Sequence, residues 1–288
     1  MTPPTSDVSV IIPYYNRERY VDEAIRSVLA QTLKPLEIII VNDCSRESSR
    51  RYLDRYAEVC KIIDLPANVG LAAARNAGIR VARGQFIALL DDDDIWLPRK
   101  LEVQRRFMEE HPDCFLVHSA VWLHSHKPDE FYIRFGPGPM TLAQALTNGY
   151  WVVPSTMMFR AQAVRSLGGF DSAFRQCEDR DFVIRCCAAG HRIEGIREPL
   201  VRFRRESHDR LTRHKVRVLY TDLKMCWKHR VTYLRVYGMR GIPNFALEKL
   251  HAAVCETRYL DGGVRLLLRL FVRYRIQDGY QEPVTSGT

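Results

Sequence analysis

Short apolar runs alternate with segments of helical periodicity over the first third of the chain. Each run is rich in Val, Ile or Leu and ends at polar or turn residues, which predicts a buried strand. Between the runs, apolar residues recur every three or four positions, which predicts helices with one buried side. The predicted strands cover residues 8–12, 36–41, 61–65 and 85–90, and the predicted helices cover 19–31, 45–56, 70–83 and 98–111. This alternation predicts an α/β fold with a single, mainly parallel sheet flanked by helices.

The pattern is weaker after residue 114. It predicts strands at 114–123, 155–160, 192–196 and 200–203, helices at 141–148 and 178–189, and a loop at 127–139. We expect the last strands to close the same sheet, and everything beyond residue 213 to be helix or loop. The sequence therefore predicts a sheet domain over residues 1–205 and a basic helical C-terminal extension over residues 206–288.

Three polar loops leave the carboxyl ends of predicted strands, at residues 13–16, 42–45 and 91–94. In an open α/β sheet, ligands bind just beyond these ends. The third loop consists of four consecutive aspartates. Adjacent carboxylates repel one another unless a cation lies among them, and hard oxygen ligands suit Mg²⁺ or Mn²⁺. The alternative is an acidic turn that caps the next helix, for which one aspartate would suffice.

The composition argues against several classes of protein. The eight cysteines form no Cys-x-x-Cys pair and no zinc-ligand spacing, so we expect a reducing compartment and no disulfide framework. The N-terminus lacks the basic and apolar regions of a signal peptide, and no apolar run approaches the roughly 20 residues that span a bilayer. These features predict a cytoplasmic protein.

The formal net charge of +9 is concentrated in residues 202–240, which contain twelve Lys or Arg residues and three acidic ones. A localised basic segment indicates an anionic partner, such as a membrane surface, a nucleic acid or a phosphorylated substrate. A solvated helical face would carry the same charge, so the charge alone leaves both interpretations open.

Four other positions carry candidate chemistry, each with a structural alternative. Glu178 and Asp179 open a predicted helix, where a carboxylate can act as a general base on a sugar hydroxyl or simply cap the helix. Asp43 can accept a hydrogen bond from a base or ribose, or form an Asx-type turn. Tyr15 can stack on a base, or one of Tyr14 and Tyr15 can simply lie in the core. Arg75 can reach a diphosphate or pair with a surface acid.

These motifs occur in a characteristic order. The chain contains Val-Ser-Val-Ile-Ile-Pro-Tyr-Tyr-Asn at 8–16, Ile-Val-Asn-Asp-Cys-Ser at 40–45, Asn-Val-Gly-Leu-Ala-Ala-Ala-Arg-Asn-Ala-Gly at 68–78, Leu-Leu-Asp-Asp-Asp-Asp-Ile-Trp at 89–96, Gly-Gly-Phe-Asp at 168–171 and Cys-Glu-Asp-Arg-Asp at 177–181. Together they closely resemble the family 2 glycosyltransferases with the GT-A fold. The resemblance spans about residues 7 to 205.

The resemblance implies a Rossmann-like nucleotide-binding sheet and inverting, metal-dependent transfer of a sugar from a nucleotide-sugar donor, with a UDP-sugar expected first. In the family pattern, the tyrosine matching Tyr15 borders the base and the aspartate matching Asp43 binds it. The acidic motif Asp-x-Asp falls on Asp91 to Asp93, although Ser often stands at position 92. Asp92 would then contact ribose or metal, Asp93 would ligate Mn²⁺ or Mg²⁺, and Asp179 would be the base.

Further residues complete the expected site. Pro13, Gly70, Arg75 and Asp91 are expected on the nucleotide-sugar side, Glu178 and the sugar-stacking candidate Trp151 on the acceptor side, and Asp91 and His208 at the metal. His208 is equally well placed to be a surface histidine in a basic linker.

Processive members of the family carry Gln-x-x-Arg-Trp after the base, together with transmembrane helices, and this sequence has neither. We therefore expect transfer of one sugar to a glycan or lipid-linked acceptor, in polysaccharide, lipopolysaccharide or other glycan biosynthesis. A nucleotidyltransferase is the alternative enzyme, but a Gly-rich phosphate loop would replace Pro-Tyr-Tyr-Asn after the first strand. A nucleic-acid-binding module using residues 202–240 would leave the aspartates unexplained, so no nucleic-acid partner is expected.

The C-terminal tail has a helical pattern of its own. Within residues 264–276, arginines recur every four positions among leucines, which predicts a basic amphipathic helix. Such a helix can lie on an anionic membrane surface, which predicts peripheral attachment at the inner face of the membrane. Alternatively, its leucine face packs on the catalytic domain or on a second subunit.

Overall fold

The computed structural model describes residues 6–124, 131–136, 138–147, 152–204 and 215–238. The described strands are β1 (Val8–Tyr14), β2 (Glu37–Asn42), β3 (Lys61–Asp64), β4 (Phe86–Leu89), β5 (Ile95–Trp96), β6 (Cys114–His124), β7 (Phe131–Arg134), β8 (Met158–Arg160) and β9 (Arg192–Phe203). The described helices are α1 (Glu18–Leu29), α2 (Glu47–Tyr52), α3 (Leu71–Val81), α4 (Lys100–Glu110), α5 (Leu142–Leu146), α6 (Ala161–Ser166), α7 (Glu178–Ala188), α8 (Lys215–Lys228) and α9 (Arg230–Tyr237). Two 3-10 helices, Leu53–Tyr56 and Pro154–Thr156, complete the described elements.

The strands form one sheet in the order β3-β2-β1-β4-β8-β6-β9-β5, and β7 pairs with β6. The run β3-β2-β1-β4 is parallel, so the carboxyl ends of these strands meet at one edge. Beyond β4 the pairing is mixed: β8 runs antiparallel to β4 and β6, whereas β9 runs parallel to β6. The predicted parallel strands at the N-terminus are therefore present and adjacent.

Strand β1 is covered on both faces. Val10 and Ile12 belong to a core cluster that includes Val21 and Ile25 of α1. Ile11 contacts α3 on the other face, where a Cβ added to Gly78 would lie 2.5 Å from Ile11 Cγ2. A strand with helices on both faces needs apolar side chains at successive positions, which explains why the apolar runs are continuous rather than alternating.

The second half of the sheet differs from the prediction. The predicted loop at 127–139 contains β7, whose Tyr132 and Ile133 are exposed, so an apolar pattern directed at the core was missing. The predicted strand at 155–160 begins as a 3-10 helix after Pro154, and only Met158–Arg160 pairs. The predicted strands at 192–196 and 200–203 are one irregular strand, because register shifts around Pro199 interrupt its pairing with β6 without ending it. Strand β5 and helix α6 are short and were not predicted.

The chain divides into two units, Met1–Asp209 and Arg210–Thr288. Helices α8 and α9 belong to the second unit, where helix or loop was predicted. The boundary of a catalytic domain at residue 205 remains a prediction. None of the described helices is long and apolar enough to cross a membrane. The predicted helix at 264–276 lies outside the described residues.

Candidate active site

The three polar loops meet at the carboxyl edge of the parallel strands, as predicted. The backbone N–H of Asn16 donates to Ser45 Oγ at 3.1 Å, and the N–H of Asp43 donates to the carbonyl oxygen of Tyr14 at 2.9 Å. Arg17, at the start of α1, forms ion pairs with Asp92 and Asp93 of the third loop. These contacts connect the loops after β1, β2 and β4 directly to one another.

The two adjacent tyrosines have different environments. Tyr14 is 1% exposed and lies in the core, where its hydroxyl is 2.6 Å from Ser49 Oγ. Tyr15 is 47% exposed at the end of β1, which leaves its ring available to a ligand. Pro13 is buried within β1 beside Val41 of β2. The alternative that one of the two tyrosines lies in the core is thereby confirmed for Tyr14, and stacking of Tyr15 on a base stays a prediction.

Asp43 organises the loop that precedes α3. Its Oδ1 accepts from the N–H of Val69 at 2.7 Å, and its Oδ2 accepts from the N–H of Gly70 at 2.9 Å. Gly70 has φ +88°, a conformation that favours glycine, and a Cβ added there would meet nothing within 4 Å. Asp43 and Gly70 therefore form an ordered rim beside open space. Each carboxylate oxygen can accept a further hydrogen bond, so these contacts are compatible with the predicted nucleotide contact.

The four consecutive aspartates have different partners. Asp91 pairs with Arg75, Asp92 and Asp93 share Arg17, and Asp94 accepts from Ser155. Neither Arg17 nor Ser155 was predicted as a site residue. Arg17 follows the Pro-Tyr-Tyr-Asn motif directly, and its place in a loop at the same predicted sheet edge as the acidic cluster was a signal that could have identified it. Nothing in the local sequence distinguishes Ser155.

Ser155 and Asp94 hold the acidic loop in place. Ser155 Oγ accepts from the N–H of Asp91 at 3.0 Å and donates to Asp94 Oδ2 at 2.6 Å. The N–H of Arg204 donates to the other oxygen of Asp94 at 3.1 Å. Burial, followed by the charges of Asp93 and Asp91, raises the pKa of Asp94 well above its usual range. Asp94 is thus a buried structural carboxyl, which accounts for one of the four acids without a ligand.

Arg75 joins the acidic loop to α7. Its side chain is fully buried, with Nη2 2.6 Å from Asp91 Oδ1 and Nη1 paired with Glu178 Oε1. Its guanidinium also lies 5.5 Å from the centre of the Phe170 ring. Burial disfavours the charge of Arg75, but Asp91 and Glu178 outweigh this and raise its pKa above the ordinary value. The alternative that Arg75 pairs with an acid is confirmed, although the pair is buried and not at the surface.

Two carboxyl groups of the site, Asp179 and Asp92, have raised pKa values. Burial, with a further contribution from the neighbouring Glu178 charge, raises the pKa of Asp179 to about 7. Burial also raises the pKa of Asp92 to about 7, although Arg17 opposes this effect. Perturbed carboxyl groups of this kind are typical of functional sites, and a base with a pKa near neutrality suits proton transfer.

The Gly-Gly-Phe-Asp turn at 168–171 provides a second contact between α3 and the region that leads into α7. Asn76 of α3 accepts from the N–H of Phe170 at 2.8 Å and donates to its carbonyl oxygen at 2.7 Å. Gly169 has φ +67°, and a Cβ there would lie 2.3 Å from Asn76 Oδ1. Only glycine therefore allows Asn76 to dock on this turn. Helix α3 thus anchors both the turn before α7 and, through Arg75, the start of α7.

The acidic loop contains carboxylate oxygens that could bind a divalent ion. Among the described residues, no three His, Cys, Asp or Glu side chains are grouped as a metal centre. A Mg²⁺-type site needs only one or two carboxylates, because substrate phosphates and water supply the remaining ligands. The contacts described above use Asp91 Oδ1 and Asp93 Oδ2, and leave Asp91 Oδ2 and Asp93 Oδ1 as candidate ligands. The donor set fits such an ion. The other predicted site residues, His208 and Trp151, lie outside the described residues.

A family model described as glycosyl transferase family 2 matches residues 9–168. The chain belongs to this family. Relatives of this family 2 glycosyltransferase include the uncharacterized glycosyltransferase MJ1057 of Methanocaldococcus jannaschii, 31% identical over 239 residues that cover 77% of this chain and 80% of the relative. They also include the Bacillus subtilis protein EpsE, 34% identical over 214 residues that cover 69% of this chain and 73% of the relative.

Solved structures show the same fold. S. aureus TarS 1–349 in complex with UDP-GlcNAc superposes with a TM-score of 0.61 and 18% identity, over 95% of this chain and 89% of that chain. The mannosyltransferase PcManGT from Pyrobaculum calidifontis, in complex with GDP-Man and Mn²⁺, gives 0.58 and 16%, over 96% and 86%. These likenesses confirm the predicted GT-A fold, and family membership confirms the predicted glycosyltransferase. The family thus favours a glycosyltransferase over a nucleotidyltransferase or a nucleic-acid-binding module.

Proposed function

We propose that this family 2 glycosyltransferase is inverting and metal-dependent, and transfers one sugar from a nucleotide-sugar donor to a hydroxyl group of a glycan or lipid-linked acceptor. A UDP-sugar is the first candidate donor, and cell-surface polysaccharide, lipopolysaccharide or another glycan is the candidate product. The observation that carries the proposal is the buried Arg75. Its two terminal guanidinium nitrogens hold Asp91 of the acidic loop and Glu178, the neighbour of Asp179. The TarS complex with UDP-GlcNAc and the PcManGT complex with GDP-Man and Mn²⁺ support the class of donor.

Each loop has a role in this proposal. The exposed ring of Tyr15 borders the base, while Asp43 and Gly70 orient the nucleoside beside the loop before α3. Asp93 and Asp91 would hold Mn²⁺ or Mg²⁺, whose charge stabilises the departing diphosphate. Pro13 and Asp92 complete the nucleotide side, and Glu178 lies towards the acceptor. His208 and Trp151 stay predictions for the metal and the acceptor.

Asp179 provides the base. Its raised pKa lets it accept the proton of the acceptor hydroxyl near neutral pH, as that oxygen attacks the anomeric carbon opposite the leaving diphosphate. Attack from the opposite side inverts the anomeric centre, and one base suffices because no covalent intermediate forms. Arg75 keeps Glu178 paired and thus fixes the first turn of α7, from which Asp179 projects.

Thermal unfolding with a panel of nucleoside diphosphates and nucleotide sugars tests the proposal. At a hundredfold excess over Kd, the matching ligand with Mn²⁺ should raise Tm by roughly 5 to 10 °C. The rise should disappear with EDTA and in Asp93→Asn, whereas Asp179→Asn should keep the rise and lose sugar transfer. Asp113→Asn is the matched control, because Asp113 is an exposed acid before β6, at the opposite end of the sheet. A folded protein that no member of the panel stabilises, with or without Mn²⁺, would contradict the proposal.

We further propose that α8 and α9 contact an anionic membrane surface. Five large apolar side chains, spaced three or four residues apart, are 39% to 72% exposed: Tyr220, Leu223, Trp227, Val231 and Leu234. Lys224, Lys228, Arg230 and Arg235 lie between them in the same two helices. An exposed apolar stripe with basic neighbours and an aromatic anchor fits the interface of an anionic bilayer.

Flotation with vesicles tests this surface. The wild-type chain should float with vesicles rich in phosphatidylserine and not with neutral ones. Trp227→Ser together with Leu223→Ser should lose most of this binding, whereas Val59→Ser, at an exposed valine of the first unit, should retain it. Equal flotation of all three proteins would exclude this surface. A chain ending at Arg240 separates its contribution from that of the predicted tail helix.

A further inference from the structure

One guanidinium nitrogen lies between two carboxylates of the acidic loop. Arg17 Nη1 is 3.0 Å from Asp92 Oδ1 and 2.8 Å from Asp93 Oδ2. The Asp92 and Asp93 side chains are only 8% and 11% exposed, so their repulsion is poorly screened by water. A single positive charge at this position stabilises both carboxylates at once.

A divalent ion would use the same two acids. A cation that approaches Asp93 meets the positive charge of Arg17 at 2.8 Å from one of its oxygens. An arginine guanidinium stays protonated in proteins, so Arg17 cannot step aside by losing its proton. Arg17 therefore competes with an incoming ion electrostatically as long as its side chain stays in place.

The position of Arg17 makes its side chain accessible to a ligand. It stands at the N-cap of α1, where its carbonyl oxygen accepts from the N–H groups of Tyr20 and Val21, so the backbone is fixed. The side chain itself is 23% exposed and faces the loop edge at which the strands end. Arg75, by contrast, is fully buried between its two acids. A guanidinium matches two phosphate oxygens in a bidentate geometry, so a bound diphosphate offers Arg17 an alternative partner.

We infer that Arg17 is a positioning residue that occupies the Asp92–Asp93 pair until a nucleoside diphosphate group arrives, and that its transfer to the diphosphate opens Asp93 to the divalent ion. The inference rests on the proposed function. It makes binding ordered, because the ion binds well only together with the nucleotide. The protein then holds little metal at rest, and a complete site forms only around a donor.

Binding of Mn²⁺ to the full-length protein, measured from the EPR signal of free Mn²⁺, tests this order without turnover. With Mn²⁺ alone, Arg17→Met should bind about tenfold or more tightly than the wild type, since a neighbouring cation changes the proton affinity of a carboxylate by about one to three orders of magnitude. Arg17→Lys, which keeps the charge, should stay near the wild type. Arg106→Met removes an exposed arginine of α4 and should also leave Mn²⁺ affinity unchanged.

The second part of the experiment adds UDP or GDP. The measured Mn²⁺ binding is then corrected for the Mn²⁺ that free nucleotide binds. Nucleotide should raise Mn²⁺ affinity in both proteins, because its phosphates are ligands of the ion. The rise in the wild type should exceed the rise in Arg17→Met by about the factor that Arg17→Met gains without nucleotide. Arg17→Gln is a second neutral variant, which guards against a folding defect, and circular dichroism checks the fold of each protein.

Two outcomes distinguish the inference from the proposed function. Equal Mn²⁺ affinity of the wild type, Arg17→Met and Arg17→Gln, with Mn²⁺ bound in the presence of nucleotide, overturns the inference and leaves the metal-dependent transferase standing. If none of the folded proteins binds Mn²⁺ even with nucleotide, both the proposed metal site and the role of Arg17 are overturned.

Discussion

The two sides of the acidic loop use the same chemistry in different surroundings. On one side, Arg75 pairs with Asp91 and Glu178 and is completely buried. On the other side, Arg17 pairs with Asp92 and Asp93 and is 23% exposed. Each arginine bridges two carboxylates, but only Arg17 has access to solvent. The comparison teaches that the buried Arg75 bridge stabilises the fold, whereas the partly exposed Arg17 bridge can be reached by a ligand.

Their places in the fold explain this difference. Arg75 stands in the middle of α3, a helix packed against β1 and fastened to the turn before α7 through Asn76. Arg17 stands at the N-cap of α1, immediately after a strand-end loop. A long side chain in the middle of a packed helix is surrounded by protein. A long side chain at a helix start beside a binding edge can also contact solvent or a ligand.

Loss of Arg75 should have the largest effect. Arg75→Met leaves the buried carboxylate of Glu178 and the partly buried carboxylate of Asp91 without their counterion, which should cost about 3 to 5 kcal/mol of unfolding free energy. Urea unfolding followed by circular dichroism measures this difference. Arg106→Met, which removes an exposed salt bridge of α4, should change stability by less than about 0.5 kcal/mol. A loss below about 1 kcal/mol in Arg75→Met would remove the architectural role of this side of the loop.

Ser155 provides a second, weaker stabilising contact for the acidic loop. Ser155→Ala removes the donor to buried Asp94 and the acceptor for the N–H of Asp91, which should cost about 1 to 3 kcal/mol. The same urea titration measures it. Ser166→Ala is the matched control, because the Ser166 hydroxyl donates to Ala163 at an exposed position. If the two serine variants were equally stable, Asp94 would not need Ser155 to hold the acidic loop.

Sequence patterns predicted the edge of the sheet better than the contacts behind it. Continuous apolar runs placed β1 to β4 side by side, and parallel strands bring their carboxyl ends together, so the loops that contain Asp43 and Asp91 could be located. The roles of Ser155 and Arg17 depend on contacts with acids 61 to 76 residues away in the chain. No local pattern encodes such contacts. The sequence likewise shows four equivalent aspartates, whereas Ser155 and the N–H of Arg204 hold Asp94 in a structural role and Asp91 to Asp93 pair with arginines at the candidate site.

The pH dependence of transfer separates the base from the acidic loop. Because burial raises the pKa of Asp179 to about 7, the group is protonated and inactive as a base at lower pH. The value of kcat, at saturating donor, should therefore fall about tenfold per pH unit well below 7 and level off above it, a change of about 1.4 kcal/mol per unit. Stopped assays with the identified donor measure the profile.

Nucleotide binding over the same pH range provides the control. The pKa of Asp92 is also raised to about 7, so its titration should appear in binding, whereas that of Asp179 should appear in the chemical step alone. The Asp179→Asn protein should bind nucleotide with the wild-type pH dependence. A flat kcat profile between about pH 5.5 and 8 would exclude Asp179 as a base with this pKa.

The smallest effect on stability is expected for Arg17, and this contrast is the sharpest test of the comparison. Arg17→Met should lower the unfolding free energy by about 1 kcal/mol, less than Arg75→Met does, because the Arg17 side chain is 23% exposed at the loop edge and Asp92 and Asp93 can take up protons or a cation in its place. The same protein should nevertheless bind Mn²⁺ more tightly, so stability and ion affinity change in opposite directions. A loss as large as that of Arg75→Met would show that both arginines are structural, and the acidic loop would then have no side that a donor can rearrange.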